Sequence, residues 1–340
     1  MRCVTAKHRL TNMNIQVIGI DIGGTAIKLG RFDKDGVCHQ FLNVPTPQPA
    51  TPKAVVDVMV EAILLLQRSA NSGLRSNSSL NNYSVNPLDL SVAKSQPDNS
   101  AVIQAIGIGV PGPTDVQGRI SKVAINLTDW QNVPLAECLE EKTGLAVVLA
   151  NDANCAGLGE SWLGAGRSFK NMIMLTLGTG VGGAIILDGQ LFVGHLGAAG
   201  ELGLITVNPD GPECNSGNSG SLEQYVSVQA IRRATGKEPL ELANLAQTGD
   251  KFALEFWEYY GRLLGAGLAS LIYILTPEAV IIGGGVSAGA ELFLPVAKAE
   301  IERRVLLSSR LGLKLLTAKL GNHAGIVGAA KLAWASLHNN

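Results

Sequence analysis

Short apolar runs that end in glycine alternate with longer stretches of helical periodicity along this chain. A continuous apolar run of a few residues is typical of a buried strand, whereas apolar residues spaced three and four apart predict a helix with one buried face. The predicted strands are 16–20, 105–110, 146–149, 172–177 and 279–282, and the predicted helices are 52–68, 153–163 and 251–275. Strands that alternate with helices indicate an α/β fold.

Two stretches of this pattern resemble each other. Residues 17–36 and 173–190 each contain a strand, a turn rich in glycine and threonine, a second strand and an Asp-Gly turn. A chain of 340 residues is also too long for one ordinary core, and it fits two domains of about 150 residues each. The sequence therefore predicts a duplicated chain with one glycine-rich hairpin in each lobe.

One segment departs from the pattern. Residues 71–100 are rich in serine and asparagine and show little periodicity of apolar positions. This composition is typical of loops rather than of packed elements. We expect an exposed and mobile insertion at these positions.

Composition and charge narrow the classes of partner. The chain is 46% hydrophobic and 16% charged, which is typical of a well-buried globular protein. Its net charge is -1 and no block of like charges occurs, so nothing attracts a nucleic-acid backbone or an anionic membrane. We expect no nucleic-acid or membrane partner, and we expect small neutral or anionic ligands.

Cysteine spacing and the start of the chain predict the compartment. The five cysteines occur singly, without the paired spacing of zinc ribbons or the framework of small secreted domains. The first 13 residues lack the apolar core of a signal peptide, and no apolar run of transmembrane length occurs. These features predict reduced thiols and a cytoplasmic protein. Whether translation begins at Met1 or at Met13 stays open.

The DIGGT motif is the first candidate for phosphate binding. It lies between two strand-like runs rather than before a helix and lacks Gly-Lys-Ser/Thr, so neither a dinucleotide fingerprint nor a P-loop fits. A β-hairpin turn remains, in which the amides of Gly23 and Gly24 approach phosphate oxygens and Thr25 donates a hydroxyl. Asp21 could hold hydrated Mg²⁺, and Lys28 adds a positive charge nearby.

Two further glycine runs follow later in the chain. The run at 177–183 contains no carboxylate and could hold phosphate oxygens, and the run at 281–287 joins a strand to a predicted helix N-terminus, where an adenosine or an α-phosphate could bind. The residues proposed for these contacts are Gly178, Thr179, Gly180, Gly283, Gly284 and Gly285. Each run alone could be a structural turn, but the three in this order indicate a nucleotide site.

A carboxylate follows the third predicted strand of the first half. Asp152 stands directly after an apolar strand and at the start of a predicted helix. An isolated aspartate at this position could be a helix N-cap. Ligand sites of α/β folds open at strand ends, however, and a kinase needs one carboxylate to accept a hydroxyl proton. Both interpretations stay open on this pattern alone.

From about residue 18 to residue 332 the sequence resembles the ROK family of repressors, open-reading-frame proteins and sugar kinases. The motifs that carry the resemblance are DIGGT, LGTGVGG, GGG and NDAN. The resemblance implies the two-lobed actin-like ATPase fold, with ribonuclease-H-like α/β lobes that close on ATP and sugar, and it implies a homodimer. We place the lobes at 14–124 with 321–340, and at 125–320.

The resemblance also assigns residues to the sugar. In the NDAN motif, Asp152 takes the place of the general base and Asn151 that of a sugar contact. Asn126, Glu201 and Glu223 match sugar-binding residues of the family. The alternative for Glu223 is a helix cap or a side chain that faces solvent.

Beyond Glu201 the sequence departs from the family pattern. The family has a histidine three residues later and then CxCGxxGCxE, which together supply a structural zinc site. Here Leu204 replaces the histidine, and the segment CNSGNSGSLE keeps Cys214 but has Ser216 and Ser221 at the other cysteine positions. One thiol cannot make a closed four-ligand site, so we predict no zinc.

The resulting hypothesis is ATP- and Mg²⁺-dependent phosphorylation of a hexose, most directly glucose at its 6-hydroxyl, with Asp152 as the base. Fructose, mannose and N-acylated amino sugars stay open as acceptors, and polyphosphate stays open as a donor. The alternatives from another class are a sugar-binding regulator and a pseudokinase without turnover. Only 20 residues precede Asp21, so we expect no N-terminal DNA-binding domain.

Overall fold

The computed structural model describes residues 14–72, 101–124 and 126–337. Most of the segment predicted as a mobile insertion, from residue 73 to residue 100, lies outside the described residues. The chain forms two compact units by its internal contacts. Of the described residues, the first unit contains those up to Gly159, Gly194–Ala198 and those from His323 on, and the second contains Glu160–Val193 and Ala199–Asn322.

Strands and helices alternate along the described chain. The strands are β1 (Asn14–Ile22), β2 (Ala26–Phe32), β3 (Cys38–Pro45), β4 (Ala101–Val110), β5 (Ser121–Val123), β6 (Gln131–Val133), β7 (Ala146–Asn151), β8 (Met172–Leu177), β9 (Val181–Leu187), β10 (Gln190–Leu191), β11 (Ala279–Gly283) and β12 (Lys314–Thr317). The helices are α1 (Pro52–Ser72), α2 (Leu135–Thr143), α3 (Asp152–Leu163), α4 (Glu223–Val226), α5 (Val228–Thr235), α6 (Pro239–Gln247), α7 (Lys251–Leu275), α8 (Ala290–Arg304), α9 (Leu307–Arg310) and α10 (Ala324–Ser336). Among these helices none combines the length and hydropathy needed to cross a bilayer.

Each unit contains one five-stranded mixed sheet. The order is β3-β2-β1-β4-β7 in the first unit and β10-β9-β8-β11-β12 in the second. In the first sheet β1 pairs antiparallel with β2 and parallel with β4. In the second sheet β8 pairs antiparallel with β9 and parallel with β11. The shared order confirms the predicted α/β class and the predicted duplication of the hairpin.

Helix α10 packs on the first sheet at backbone-contact distance. A Cβ atom on Gly107 of β4 would lie 1.9 Å from the carbonyl oxygen of Ala329, and one on Gly19 of β1 would lie 2.3 Å from that of Ile326. A Cβ on Gly328 of α10 would lie 1.6 Å from the carbonyl oxygen of Cys155 in α3. Glycine at these positions therefore fixes how closely α10, the sheet and α3 approach one another.

The second unit packs its helices around an aromatic cluster. Trp257 and Tyr260 of α7 contact Phe293 of α8, with ring centroids 5.7 and 4.9 Å from that of Phe293. The Tyr260 hydroxyl donates to the carbonyl oxygen of Val226 at 2.8 Å. Since Val226 ends the short helix α4, this buried bond fixes α4 against α7.

Replacing Gly328 with alanine tests the close approach of α10. Alanine has the higher helix propensity, by about 1 kcal/mol, so a free helix would gain stability. Here we expect the free energy of unfolding to fall by about 3 kcal/mol, because the added methyl meets a backbone carbonyl that cannot move aside. Chemical denaturation measures the change. Gly285→Ala is the matched control, since no heavy atom lies within 4 Å of that Cβ position; equal stability of the two variants would contradict the packing argument.

Candidate active site

Asp21 lies near the carboxyl end of β1, in a partly buried position. It is in register with Lys28 of β2 and with Gly109 of β4, and the Lys28 Nζ lies 3.9 Å from Asp21 Oδ2. A Cβ on Gly325 would lie 3.0 Å from the carboxyl carbon, so the first turn of α10 contacts the carboxylate. Burial raises the pKa of Asp21 to about 6, the charge of Lys28 lowers this pKa, and that of Asp152 raises it.

Asp152 is the first residue of α3 and its surface is exposed. The Asn151 Oδ1 accepts hydrogen bonds from the amides of Ala153 at 2.9 Å and Asn154 at 3.2 Å, so Asn151 is the residue that caps α3. The Asn151 Nδ2 donates to the carbonyl oxygen of Gly112 at 3.2 Å. The sequence allowed Asp152 to be the N-cap of this helix, but the preceding residue, Asn151, has that role. The Asp152 carboxylate accepts a hydrogen bond from the adjacent amide of Ala153 at 2.7 Å.

The two carboxylates of the first unit affect each other. Desolvation by the surrounding protein raises the pKa of Asp152, and hydrogen bonds from Ala153 and Asn151 lower it in part. Cys155 follows one turn later on α3 and is fully buried; burial first, and then the charges of Asp21 and Asp152, raise the pKa of its thiol well above the ordinary value of 9.0. A neutral thiol therefore lies within electrostatic reach of both carboxylates.

The turn between β1 and β2 is bound to the end of β3. The Thr46 hydroxyl donates to the carbonyl oxygen of Gly23 at 2.6 Å, and the Thr46 amide donates to that of Thr25 at 3.0 Å. A Cβ on Gly24 would lie 3.5 Å from the Nδ2 atom of Asn126, so the predicted sugar residue Asn126 lies beside the predicted phosphate turn. Asn126 and Thr25 are both exposed.

Glu223 binds the corresponding turn of the second unit. The amide of Gly178 donates to the carbonyl oxygen of Gly180 at 2.9 Å and closes this turn, with Thr179 exposed at its tip. The next amide, that of Val181, donates to Glu223 Oε2 at 2.8 Å. A Cβ on Gly180 would lie 2.5 Å from the same oxygen. Sequence patterns gave no sign that this carboxylate, predicted for the sugar, also stabilises the glycine turn.

The third glycine run lies against the second. Gly283 ends β11 and pairs with Thr176 of β8. Gly284 has φ 85°, and a Cβ there would lie 2.3 Å from the carbonyl oxygen of Leu177. The helix N-terminus predicted at this run lies further on, because a 3-10 turn at Gly285–Gly289 comes first and α8 begins only at Ala290.

Glu201 stands just before a turn that packs on the start of β9. It is exposed and precedes a 3-10 turn at Leu202–Leu204. A Cβ on Gly203 in that turn would lie 2.2 Å from the carbonyl oxygen of Val181, whose amide binds Glu223. The second unit thus binds Glu223 to its glycine turn and packs the turn that follows Glu201 on the same strand. In the first unit Asn126 lies beside the DIGGT turn, and Asp152 lies within electrostatic reach of Asp21.

Comparison with known proteins identifies the family. The profile of the ROK family matches residues 88–336. The chain belongs to the ROK family. A glucokinase from Streptomyces coelicolor is 36% identical to it, with 93% of this chain and 96% of that protein covered. The structure of a ROK hexokinase from Thermus thermophilus is 32% identical with a TM-score of 0.78, covering 95% and 99% of the two chains. That of a ROK glucokinase from Streptomyces griseus, in complex with glucose and AMPPNP, is 34% identical with a TM-score of 0.70, covering 94% and 99%.

The residues present fit one of the two metals that the family resemblance implies, magnesium, and do not fit the other, zinc. In the part of the chain that the structure describes, no group of three or more His, Cys, Asp or Glu side chains is placed to hold a metal ion. Zinc prefers thiolate and imidazole ligands, so the hydroxyls of Ser216 and Ser221 beside Cys214 do not fit it. Magnesium is commonly held by one or two carboxylates together with phosphate oxygens and water, and the desolvated carboxylate of Asp21 fits that role.

Some side-chain contacts near the site of this ROK protein could not be predicted from sequence motifs. Thr46 follows a strand with no recognisable motif around it, yet it binds the DIGGT turn. His323, to which the sequence assigned no role, precedes α10 and packs edge-on against Phe41, and burial and then the charge of Lys28 lower its pKa. The partners lie far apart in sequence, so only long-range pairing could have identified them.

Removing the Glu223 carboxylate should loosen the β8–β9 turn. In Glu223→Ala the amide of Val181 loses its acceptor, and an unpaired, partly buried amide costs about 1–3 kcal/mol of unfolding free energy. Glu223→Gln keeps an acceptor oxygen and should lose less. Hydrogen exchange at Val181 and chemical denaturation measure both effects. Glu258→Ala, on an exposed face of α7, serves as the control; unchanged exchange at Val181 in Glu223→Ala would show that this bond is dispensable.

Proposed function

We propose that this protein phosphorylates a hexose with ATP, with glucose as the acceptor and its 6-hydroxyl as the nucleophile. The observation that carries the proposal is the pair of desolvated carboxylates, Asp21 and Asp152, beside a glycine turn of a ROK chain. The similarity to a glucokinase at 36% identity supports glucose. The S. griseus glucokinase, solved with glucose and AMPPNP, supports a nucleotide donor.

Asp152 is the proposed general base. The residue has exposed surface from which a sugar hydroxyl can approach, and its raised pKa makes its carboxylate a better proton acceptor than that of an ordinary aspartate. Asn151 fixes the start of α3 through its cap and its bond to Gly112, and in this way it orients Asp152. We propose that Asn126, Glu201 and Glu223 hydrogen bond to further sugar hydroxyls; a polyol is oriented well by such paired acceptors.

The glycine turns are the proposed phosphate contacts of each unit. In the first unit we assign Gly23, Gly24, Thr25 and Lys28 to this role, and in the second Gly178, Thr179, Gly180, Gly283, Gly284 and Gly285. Asp21 would hold magnesium through water, and the ion when bound neutralises charge on the phosphate oxygens. Most of the rate of phosphoryl transfer comes from such positioning and charge neutralisation.

Two finer properties are proposals from the family resemblance and the sequence. They are a cytoplasmic location and a homodimer. Mannose, fructose and N-acylated amino sugars are alternative acceptors, and polyphosphate is an alternative donor. The functional alternatives are a sugar-binding regulator, since the family includes repressors, and a pseudokinase, favoured by the replacement of the family's histidine by Leu204.

The Asp152→Asn variant tests the base. We expect kcat for glucose phosphorylation to fall about 10²- to 10⁴-fold, the usual contribution of a general base, with KM for Mg·ATP unchanged. ADP release over a panel of hexoses measures the rate. Asp188→Asn makes the same chemical change in an exposed turn and should leave the rate intact. Full activity of Asp152→Asn would contradict its assignment as the base. If the wild type binds sugar but phosphorylates no hexose, the result would favour the sugar-binding regulator.

The decrease of activity at low pH should reflect the raised pKa values of Asp21 and Asp152. A base works deprotonated, so kcat/KM falls as the pH drops through the pKa of Asp152, which desolvation holds above the ordinary 3.8. Asp21, with a pKa of about 6, must also be ionised, so the decrease belongs to the interacting pair. We expect an apparent midpoint between 3.8 and about 6, measured in buffers where the fold stays intact. A profile that is flat down to pH 4 would contradict the desolvation of both groups.

A further inference from the structure

The segment between Glu201 and Glu223 is crossed by the side chain of one residue, Asn218. The Nδ2 atom of Asn218 donates to the carbonyl oxygen of Leu204 at 3.0 Å and to the Thr206 hydroxyl oxygen at 3.0 Å. Its Oδ1 atom accepts from the amide of Ser219 at 2.8 Å and from the Thr206 hydroxyl at 3.2 Å. A carbonyl on one side and an amide on the other determine which end of the side chain points where.

The backbone of Asn218 binds the other end of the same segment. Its carbonyl oxygen accepts from the amide of Cys214 at 2.7 Å, and the amide of Gly217 donates to the carbonyl oxygen of Cys214 at 3.0 Å. These bonds close a tight turn at 214–218. Asn218 therefore joins three separate points of the chain, namely Leu204, Thr206 and the turn that begins at Cys214.

The points joined by Asn218 lead directly to the two predicted sugar carboxylates. Leu204 ends the 3-10 turn that follows Glu201. The amide of Leu222, one residue before Glu223, donates to the carbonyl oxygen of Ile205 at 2.8 Å. A change at Asn218 would therefore pass to the stretches that carry Glu201 and Glu223 without touching either carboxylate.

In the family pattern a zinc ion would connect these same stretches, but the donor atoms here do not fit zinc. Cys214 is the one thiol among the positions in question, and Leu204, Ser216 and Ser221 offer no strong ligand. An amide group, by contrast, can donate and accept at once and needs no cofactor. The connection made by Asn218 uses both capacities.

We propose that Asn218 is a positioning residue that orients Glu201 and Glu223 for sugar binding without a metal ion. The proposal rests on the proposed sugar-kinase function for its kinetic consequence. Asn218 does not touch the sugar in this scheme; it acts through the path of the backbone on either side of it. Sugar affinity should therefore depend on Asn218 and should not depend on zinc.

Two variants of Asn218 test the positioning role. Asn218→Ala removes all side-chain bonds, whereas Asn218→Asp keeps the acceptors and the shape but replaces the donor to Leu204 with a negatively charged oxygen. We expect KM for glucose to rise about tenfold in both, the effect of about one lost hydrogen bond, while kcat and KM for ATP change less than about twofold. Asn215→Ala, an exposed residue of the same turn, is the matched control and should match the wild type.

A different kinetic pattern would overturn the proposal. A purely structural role would lower the melting temperature and kcat with no selective change in KM for glucose. An unchanged KM for glucose in both folded variants would also overturn it. Circular dichroism melts of each variant separate loss of folding from loss of positioning, and Asn218→Asp remains informative where the alanine variant is unstable.

A separate measurement on the purified full-length protein tests whether it contains or needs zinc. We expect substoichiometric zinc by elemental analysis and full activity with a chelator that is selective for zinc over magnesium. Stoichiometric zinc, or a chelator-dependent rise in KM for glucose, would overturn the metal-free scheme.

Hydrogen exchange separates failure of this proposal from failure of the proposed function. If the wild type turns over no hexose, the sugar-kinase function fails, but residues 204–222 can still be compared between wild type and Asn218→Ala. Faster exchange confined to that segment supports the connection made by Asn218. Equal exchange in the two proteins would overturn it whatever the catalytic result.

Discussion

The site of the first unit depends on how closely α10 lies against β1, β4 and α3. Gly19, Gly107 and Gly328 contact opposing backbone carbonyls at distances that exclude any Cβ atom. The residues of α10 between these contacts, including Ile326 and Val327, are fully buried. Burial of their apolar surface offsets the low helix propensity of glycine. A wider spacing would separate the first turn of α10 from Asp21 and shift α3, which begins with Asp152.

That close packing also determines the electrostatics of the site. Partial burial removes water from the Asp21 carboxylate, and Lys28 at 3.9 Å compensates only in part, since the pKa stays at about 6. The negative charge of Asp152 repels that of Asp21 and raises its pKa further. A cation near Asp21 would relieve the repulsion, which is one physical reason for a carboxylate of this kind to bind magnesium. Asp152 keeps exposed surface, but the protein atoms around it still raise its pKa by desolvation, and a higher pKa makes the carboxylate a stronger base.

Local pattern was enough to predict the elements that carry the site. The strand at Met172–Leu177 and the helix at Lys251–Leu275 have the bounds expected from apolar spacing, because each buries a regular face and ends at a clear turn or cap. Asp152 and the glycine turns were placed at strand ends for the same reason. The positions of those turns followed from composition alone, since glycine is required where backbones approach closely.

Long-range contacts within the site could not be predicted in this way. The bond from Val181 to Glu223 joins residues 42 positions apart, and that from Thr46 to Gly23 spans 23 positions. The residues around a glutamate in the sequence do not indicate whether its side chain faces solvent or accepts a hydrogen bond from a distant backbone amide. The start of α8 was also placed too early, because a glycine run that leads into a 3-10 turn has the same composition as one that opens a helix.

The loop between Glu201 and Glu223 corresponds to the zinc-binding segment of the family pattern, and it keeps the glycines that its backbone path requires. Gly217 and Gly220 remain at the family's glycine positions, with φ angles of 82° and 61°. A Cβ on Gly220 would lie 1.5 Å from the carbonyl oxygen of Asn208, so no other residue fits that path. The ligand positions have changed while the glycines persist. The path of this segment is therefore set by close backbone contacts and by hydrogen bonds such as those of Asn218.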